Sequence, residues 1–280
     1  MRGKGGERSV RLCINPVTLG ERGFAAGVEA SAKAGFRAVE LWLPHVEAFI
    51  ASGHSAAEAR ALLKDNGLEV AGACFVAGLI TSTGEAKRRA FDAAKARFEL
   101  AQELGARTIC CVGDGPPAPT LDDYHCAAEQ TREVCDLASS FGLSVALEFV
   151  SGLGFIATLA TAARIVADAD HTGLGILFDC FHFWTGPSKT EDFDRLLGSP
   201  IAMVHLNDAP DLPRETLRDS DRVLPGRGCL PLRDIVRRIA ATGYDGYYSL
   251  ELFSAELAAA DPFEAAARCH QACEQFAASL

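Results

Sequence analysis

Short apolar runs alternate with longer amphipathic stretches along almost the whole chain, and the alternation occurs eight times. The runs are rich in β-branched and aliphatic residues, which is typical of buried strands, and the stretches between them have helical periodicity. We predict strands near residues 10–15, 37–43, 68–75, 107–112, 143–149, 174–179, 201–207 and 246–252. Eight strand and helix pairs predict an α/β fold, a single (β/α)8 TIM barrel.

Glycine marks the ends of several predicted helices. Gly35, Gly67, Gly105, Gly142 and Gly243 each follow a helical pattern and precede a strand, where a left-handed helix cap is common. This order is typical of parallel α/β proteins with right-handed crossovers. An open doubly wound sheet would alternate in the same way, but polar residues at the ends of strands five to eight favour a closed barrel with one shared rim.

Length and composition agree with one domain. The chain has 280 residues, 49% hydrophobic and 23% charged, which suits one barrel of about 250 residues or two smaller domains. No break in composition favours two domains. Residues 1–9 carry charge and glycine without a following apolar segment, so we expect a disordered tail at 1–9 and a catalytic barrel at 10–280. No apolar stretch approaches the roughly 20 residues that cross a membrane, which predicts a cytoplasmic protein without a membrane partner.

Cysteine content and charge argue against two other classes of protein. The ten cysteines are scattered and form no CxxC pair, so we expect reduced, structural thiols and no cysteine nucleophile. The formal charge of −10 disfavours binding to nucleic acid. A small molecule is the expected partner, and the sequence leaves a homo-oligomer open.

Four polar residues lie at the C-terminal ends of apolar runs: Glu148, Asp179, His205 and Glu251. A charged group at the end of a hydrophobic strand is costly unless something pairs with it. In a barrel, consecutive strands bring these ends to one mouth, so the four side chains are expected to converge there. Three carboxylates and one imidazole suit a single divalent ion, and Mn²⁺, Zn²⁺, Co²⁺ and Mg²⁺ all stay open.

Three further residues are candidates for contact with a substrate. His182 follows Asp179 on the predicted loop after strand six, where it could bind a substrate oxygen or relay a proton. Trp184 lies beside it and could wall a sugar-like ring. Arg222 lies in a stiff segment with proline and glycine, expected at the mouth between the seventh strand and a helix beginning near Leu230, and its fork of donors could orient a polyol or an anionic group.

Two residues from the first half of the chain complete the predicted pocket. Glu40, near the end of strand two, is expected at the same rim, across the barrel from the metal ligands. There it either binds a substrate hydroxyl or pairs with Arg37 or Arg107. Phe75, at the end of strand three, is expected to line the pocket.

Five segments in the same order resemble the xylose isomerase-like TIM barrels, a family of sugar isomerases, epimerases and type 2 endonucleases. They are VALEFV, LFDCFHFWTG, HLND, DRVLPGRG and SLELF. The likeness runs from about Arg11 to about Glu264 and is most specific from Leu143 onward. Within the family, the segments are similar to those of inosose (2-keto-myo-inositol) isomerases.

The resemblance implies a metal-dependent isomerase, an intramolecular oxidoreductase of inositol catabolism. By this likeness Glu148, Asp179, His205 and Glu251 hold one divalent ion, and the two glutamates also act as acid and base on opposite faces of the substrate. His182 and Arg222 would hold the polyol. The implied reaction converts 2-keto-myo-inositol to 1-keto-D-chiro-inositol by proton transfer through an enediolate at the metal, with a hydride shift as the alternative route.

Other functions within and beyond this family stay open. A ketose 3-epimerase or a keto-polyol dehydratase would use the same metal and the same proton removal. The segment NDAPDLPRETLR after His205 departs from the isomerase pattern and is expected to affect substrate choice. An abasic-site endonuclease would need additional histidines where this chain has Phe75 and Cys111 or Val112. Paired glutamates argue against a metal-stabilised binding protein without turnover.

Overall fold

A closed ring of eight parallel strands forms the centre of the protein. The computed structural model describes residues 10–116, 118–196 and 199–280. Strands pair in chain order, and the last pairs with the first. They are β1 Arg11–Ile14, β2 Ala38–Trp42, β3 Glu69–Val76, β4 Thr108–Val112, β5 Ser144–Glu148, β6 Leu174–Asp179, β7 Ile201–Leu206 and β8 Tyr247–Leu250. The predicted (β/α)8 barrel is confirmed, and the open sheet is excluded.

Helices cover the outside of the ring. They are α1 Phe24–Ala34, α2 Leu43–Ala51, α3 Ala56–Asp65, α4 Gly84–Glu103, α5 Leu121–Ser140, α6 Leu159–Ala169, α7 Cys180–Thr185, α8 Leu232–Ala241, α9 Ala255–Ala259 and α10 Pro262–Ala277. The first helix packs against the last, which closes the outer layer. In the described part of the chain, no helix is both long enough and apolar enough to span a lipid bilayer.

The predicted element boundaries agree with the structure except at one point near the mouth. Each strand begins and ends within two residues of its predicted position, and all five glycines expected after helices have positive φ. His182, however, lies in the short helix α7 and not in a loop. The Asp179 side chain caps this helix, since its Oδ1 accepts a hydrogen bond from the His182 backbone N–H at 2.9 Å. The tail expected at 1–9 lies outside the described residues.

Apolar side chains form two separate clusters. The larger one lies between the strands and the helices. The smaller one fills the barrel interior with compact, neutral side chains, namely Cys13, Ala38, Cys74, Cys110, Ala146, Leu177 and Met203. Strand register sets the level of the rim above this cluster, because Asp179 pairs with His205 and His205 pairs with Ser249. The polar strand ends are thereby gathered at one height. None of the ten cysteines forms a disulfide.

Candidate metal centre

The four strand-end residues come together at the C-terminal mouth of the barrel. Glu148 and Asp179 are the last residues of β5 and β6, His205 is the second-last residue of β7, and Glu251 directly follows β8. All four are at most 5% exposed. One potential ligand atom from each residue lies within 4.8 Å of those from the other three. The expected convergence is therefore present.

His205 is oriented so that one ring nitrogen faces the carboxylates. Its Nδ1 lies 3.1 Å from Glu251 Oε2, 3.4 Å from Glu148 Oε1 and 3.5 Å from Asp179 Oδ2. This buried atom has no hydrogen-bond partner among the described residues. The other nitrogen, Nε2, lies 3.2 Å from Glu40 Oε1. A carboxylate that accepts the Nε2 proton leaves Nδ1 free as a lone-pair donor, so three oxygens and one nitrogen fit a divalent ion.

The charges around His205 shift several pKa values. Burial would lower the pKa of His205, but Glu251 and Glu40 raise it well above its usual range, so a divalent ion bound at Nδ1 would displace a proton from that atom. Burial would raise the pKa of Asp179, but the positive charge of Arg222 holds it well below its usual value. The pKa of Glu251 is also lowered, because His205 and Arg222 outweigh burial. These buried carboxylates therefore stay ionised, which favours a cation between them.

Glu40 lies against the His205 imidazole inside the barrel. It is 0% exposed. Its Oε2 accepts hydrogen bonds from Ser249 Oγ at 2.7 Å and from Asn15 Nδ2 at 3.2 Å, and its other oxygen faces His205. Asn15 also donates to Glu251 Oε1 at 3.3 Å. Glu40 and Asn15 therefore hold the His205 imidazole and the Glu251 carboxylate of the candidate centre in place.

This position corrects the sequence-based expectation for Glu40. Its strand lies opposite β6 in the ring, as expected, but its side chain reaches His205, and neither Arg37 nor Arg107 forms an ion pair with it in the described chain. Glu40 precedes the end of β2 by two residues, and its side chain therefore lies deeper in the barrel than that of a strand-end residue. Glu40, Cys74 and His205 form a second group close enough to hold an ion. Because Glu40 already accepts hydrogen bonds from Ser249 and Asn15, it is better suited to orient His205 than to bind an ion.

Arg222 lies against the candidate ligands. It is 3% exposed, and its Nη1 donates to Asp179 Oδ2 at 3.0 Å and to Glu251 Oε2 at 2.9 Å. Its Nη2 donates to Asp219 Oδ1 at 2.8 Å and lies 3.2 Å from His182 Nε2. Burial would lower the pKa of Arg222, but the surrounding carboxylates raise it. The guanidinium is therefore a fixed positive charge at the mouth, where the sequence placed it.

His182 is held by hydroxyl groups on its other side. Its Nδ1 lies 3.2 Å from Ser151 Oγ, which in turn lies 2.8 Å from Thr185 Oγ1. The ring is buried, and its Nε2 points to Arg222. The side chain is therefore fixed between the loop after β5 and Arg222.

The two predicted aromatic residues have different surroundings. Phe75 packs on Trp42 with ring centroids 5.1 Å apart, and Trp42 packs on Phe253 at 6.2 Å. The Arg214 guanidinium instead lies over the Trp184 ring, 3.5 Å from the ring centre. Phe75 therefore belongs to an aromatic group, whereas one face of Trp184 is covered. Contact of either residue with a substrate stays a prediction.

Several polar residues of the site were missed in the sequence. Ser249 shares the inward face of its strand with Glu251, two residues on, so strand periodicity could have found it. Asn207 donates to Asp179 Oδ2 at 3.2 Å and follows His205 by the same interval. Ser151 lies in a loop after β5, where no periodic signal exists.

Comparison with protein families gives one match over most of the chain. The model described as xylose isomerase-like TIM barrel matches residues 28–273. Solved structures share the architecture. An IolI protein with a bound zinc atom has a TM-score of 0.89 at 21% identity, over 96% of this chain and 99% of that one. An L-ribulose 3-epimerase has a TM-score of 0.77 at 20% identity, over 96% and 95%. At such identities the likeness shows the fold.

Curated relatives match parts of their own length. The inosose isomerase of Bacillus licheniformis is 31% identical over 165 residues, which cover 58% of this chain and 59% of that protein. The 3-dehydroshikimate dehydratase of Pseudomonas aeruginosa is 29% identical over 253 residues, which cover 89% of this chain and 38% of that protein. The matched region thus spans about three fifths of the first relative and under two fifths of the second.

Proposed function

Because this chain belongs to the xylose isomerase-like TIM barrel family, we propose that it is a divalent-metal-dependent isomerase of a keto-polyol or keto-sugar. The observation that carries the proposal is the Nδ1 atom of His205. It is buried without a hydrogen-bond partner among the described residues and faces three carboxylates, while Nε2 is directed to Glu40. A buried polar atom in this setting needs a partner, and a cation suits the negative charge around it.

Four residues would hold the ion: Glu148, Asp179, His205 and Glu251. A divalent ion there would polarise a ketone oxygen and acidify the adjacent C–H bond. Asn207 and Arg222 each donate to Asp179, and Asn15 donates to Glu251, so the ligand side chains are already oriented. Such support typically matters by about 10 to 100-fold in metal affinity.

Glu148 and Glu251 are the groups that would move the proton. They come from β5 and from the residue after β8, with β6 and β7 between them. One carboxylate takes the proton from the hydroxyl-bearing carbon next to the ketone, and the other delivers a proton to the former carbonyl carbon. The hydroxyl proton passes to the former ketone oxygen, so the carbonyl moves by one carbon without a net change in composition.

His182 and Arg222 would hold the oxygen atoms of the substrate. The His182 Nε2 and Arg222 Nη2 atoms lie 3.2 Å apart, and Ser151 fixes the opposite side of the imidazole. The guanidinium donates to this imidazole nitrogen, so the two side chains form one polar surface that can bind the hydroxyl groups of a polyol, which both donate and accept. The Trp42 and Phe75 rings would pack against the carbon ring of the substrate.

The substrate we propose is 2-keto-myo-inositol, with 1-keto-D-chiro-inositol as the product. The likeness to inosose isomerases supports this choice, at 31% identity over 58% of the chain. The site has few groups to pair with an anionic substrate, since Arg222 already contacts the carboxylates of Asp179, Glu251 and Asp219. A neutral keto-polyol avoids adding another negative charge to this cluster.

Dehydration of a keto-polyol is the second candidate. The Pseudomonas aeruginosa 3-dehydroshikimate dehydratase matches 89% of the chain, a larger share than the inosose isomerases match. Such a reaction begins with the same removal of a proton beside a ketone, followed by loss of a hydroxyl group as water. The additional negative charge of a carboxylate substrate is the physical argument against it here.

The two candidates can be separated by NMR in deuterated water. The protein is dialysed against chelator and given Mn²⁺, Co²⁺, Zn²⁺ or Mg²⁺ separately, with a panel of inososes, ketohexoses and 3-dehydroshikimate. We expect an isomeric inosose that carries solvent deuterium at the reacting carbon. A product formed by loss of water, which is aromatic only in the case of 3-dehydroshikimate, would instead establish a dehydratase. Turnover without deuterium would support a hydride shift, and no reaction under any metal would overturn both proposals.

A further inference from the structure

The segment that carries Arg222 is fastened to the residues after β7. We call residues 219–230 the Arg222 segment. Its Val223 forms an antiparallel bridge with Asp208, with hydrogen bonds of 2.9 and 3.0 Å between their backbones. Farther along, the Cys229 N–H donates to the Ala209 carbonyl at 2.9 Å. These contacts place the segment beside β7, whose His205 faces the candidate metal centre.

The Asp208 carboxylate is the centre of this attachment. It accepts four backbone hydrogen bonds. Oδ1 takes those of Ala209 and Leu230 at 2.9 and 3.0 Å, and Oδ2 takes those of Gly226 and Gly228, both at 3.0 Å. Asp208 is 1% exposed. An ionised carboxylate that receives several N–H groups makes strong, charge-assisted bonds, and three of these four donors belong to the Arg222 segment.

Gly228 makes the close approach possible. A Cβ atom built on it would lie under 3.0 Å from both the Ala209 carbonyl oxygen and Asp208 Oδ1, closer than real Cβ atoms come. The requirement is one of space, since no positive φ is recorded for this glycine. Both the carboxylate and the absence of a side chain opposite it are therefore needed for the observed geometry.

We propose that Asp208 is a positioning residue that fixes Arg222 against the candidate ligands. Arg222 directly precedes the bridged Val223, and its guanidinium lies 2.9 Å from Glu251 and 3.2 Å from His182. Asp208 itself does not contact the ligand set. It acts through the backbone of residues 223–230, which it joins to the end of β7. The activity readout of the proposal rests on the proposed function, whereas its structural readouts do not.

The test is the Asp208→Asn variant, with Asp234→Asn as the matched exposed control. An asparagine amide would face some of the backbone donors with its own N–H groups, so the attachment is weakened. In hydrogen exchange, we expect residues 223–230 to exchange at least tenfold faster in Asp208→Asn and unchanged in the control, while α2 stays protected in both. The Mn²⁺ affinity is expected to fall no further than it does in Arg222→Gln, because Asp208 acts on the ligands Asp179 and Glu251 only through Arg222.

The kinetic readout separates positioning from general loss of structure. With a panel substrate that is turned over, we expect KM to rise at least tenfold and kcat to change less, because substrate binding is what Arg222 supplies. Adding Asp208→Asn to Arg222→Gln should cause no further loss of activity, since Asp208 acts through Arg222. An additional loss of activity in the double variant would overturn the proposal, as would unchanged exchange at 223–230 or a loss of Mn²⁺ affinity greater than that in Arg222→Gln.

A second variant covers the case in which Asp208→Asn does not fold. Gly228→Ala keeps the carboxylate but blocks the approach to it, and it should give the same faster exchange at 223–230. If Gly228→Ala exchanges like the unmodified protein, the proposal is wrong. If the unmodified protein turns over no panel substrate, the proposed function fails, and the exchange data still decide the role of Asp208.

Discussion

The two halves of the barrel differ in the groups that they direct inward. Strands β5 to β8 bring three carboxylates and an imidazole to the mouth, whereas β1, β3 and β4 place the neutral thiols of Cys13, Cys74 and Cys110 in the interior. Burial raises the pKa of Cys74 to about 12 and that of Cys110 well above its usual value, so these thiols stay protonated. Charge is therefore concentrated on one side of the barrel.

The neutral half nevertheless orients the charged half. The Cys110 thiol donates to Glu148 Oε2 at 3.4 Å, and Asn15 donates to Glu251 Oε1 at 3.3 Å. Among the residues that the structure describes, Glu40 is the one buried carboxylate of the first half, and it faces His205 Nε2. One half of the barrel would therefore hold the ion, while the other half fixes the orientation of the side chains that hold it.

The largest effect is expected at Glu251, in the charged half. Glu251→Gln removes a ligand charge and a proton carrier, so turnover should fall by about 10² to 10⁴-fold, the usual range for acid–base groups. Glu256→Gln is the control, because that side chain is exposed on α9. Steady-state kinetics with the substrate found by NMR gives the comparison. Equal activity of the two variants would remove Glu251 from the mechanism.

Removing the metal should destabilise the charged half. At a hundredfold excess over its Kd, a bound ion adds about 2.7 kcal/mol to the free energy of unfolding. For a chain of this size that corresponds to a Tm about 5 to 10 °C higher than in chelator. Differential scanning calorimetry with and without Mn²⁺ measures the shift. A Tm that does not respond to any of the four metals would contradict binding to buried, repelling carboxylates.

Glu40 tests whether the first half supports the second. Glu40→Gln keeps the shape but weakens the contact that orients His205, so metal affinity should fall by about 10 to 100-fold. The exposed Glu99→Gln on α4 is the control. Isothermal titration with Mn²⁺ reports both. Affinity that is unchanged in Glu40→Gln would mean that the orientation of His205 does not depend on Glu40.

The smallest effect is expected at Cys110. Thiols are weak hydrogen-bond donors, so Cys110→Ala should lower kcat only a few-fold, by about 1 kcal/mol or less of lost orientation at Glu148. Cys110→Ser keeps a donor and should lose less than Cys110→Ala, and the exposed Cys126→Ala should lose nothing. The ratio of the kcat values measures this. A serine variant that is no better than the alanine variant would argue against the hydrogen bond to Glu148.

The sequence predicted the barrel and the convergence at its mouth because both depend on strand periodicity. Glu148, Asp179, His205 and Glu251 end apolar runs, and parallel strands in a barrel have their ends on one rim. The role of Glu40 could not be predicted in the same way. A residue two positions before the strand end lies about 6.6 Å farther back along its strand, which places Glu40 against His205, while its contact with a substrate stays a prediction.

Loop geometry was the other limit. Arg222 was expected at the mouth, but its contacts with Asp179 and Glu251 depend on a segment without periodic structure. That segment is held by backbone N–H groups that converge on Asp208, and such contacts leave no pattern in the sequence. Ser151, which lies against His182, comes from another loop and was missed for the same reason.

The central claim is that the charged half of the barrel holds one divalent ion. Anomalous diffraction from crystals grown with Mn²⁺ tests it directly. We expect one peak bonded to His205 Nδ1 and to carboxylate oxygens of Glu148, Asp179 and Glu251. A mouth without a peak, or a peak between Glu40, Cys74 and His205 Nε2, would contradict it.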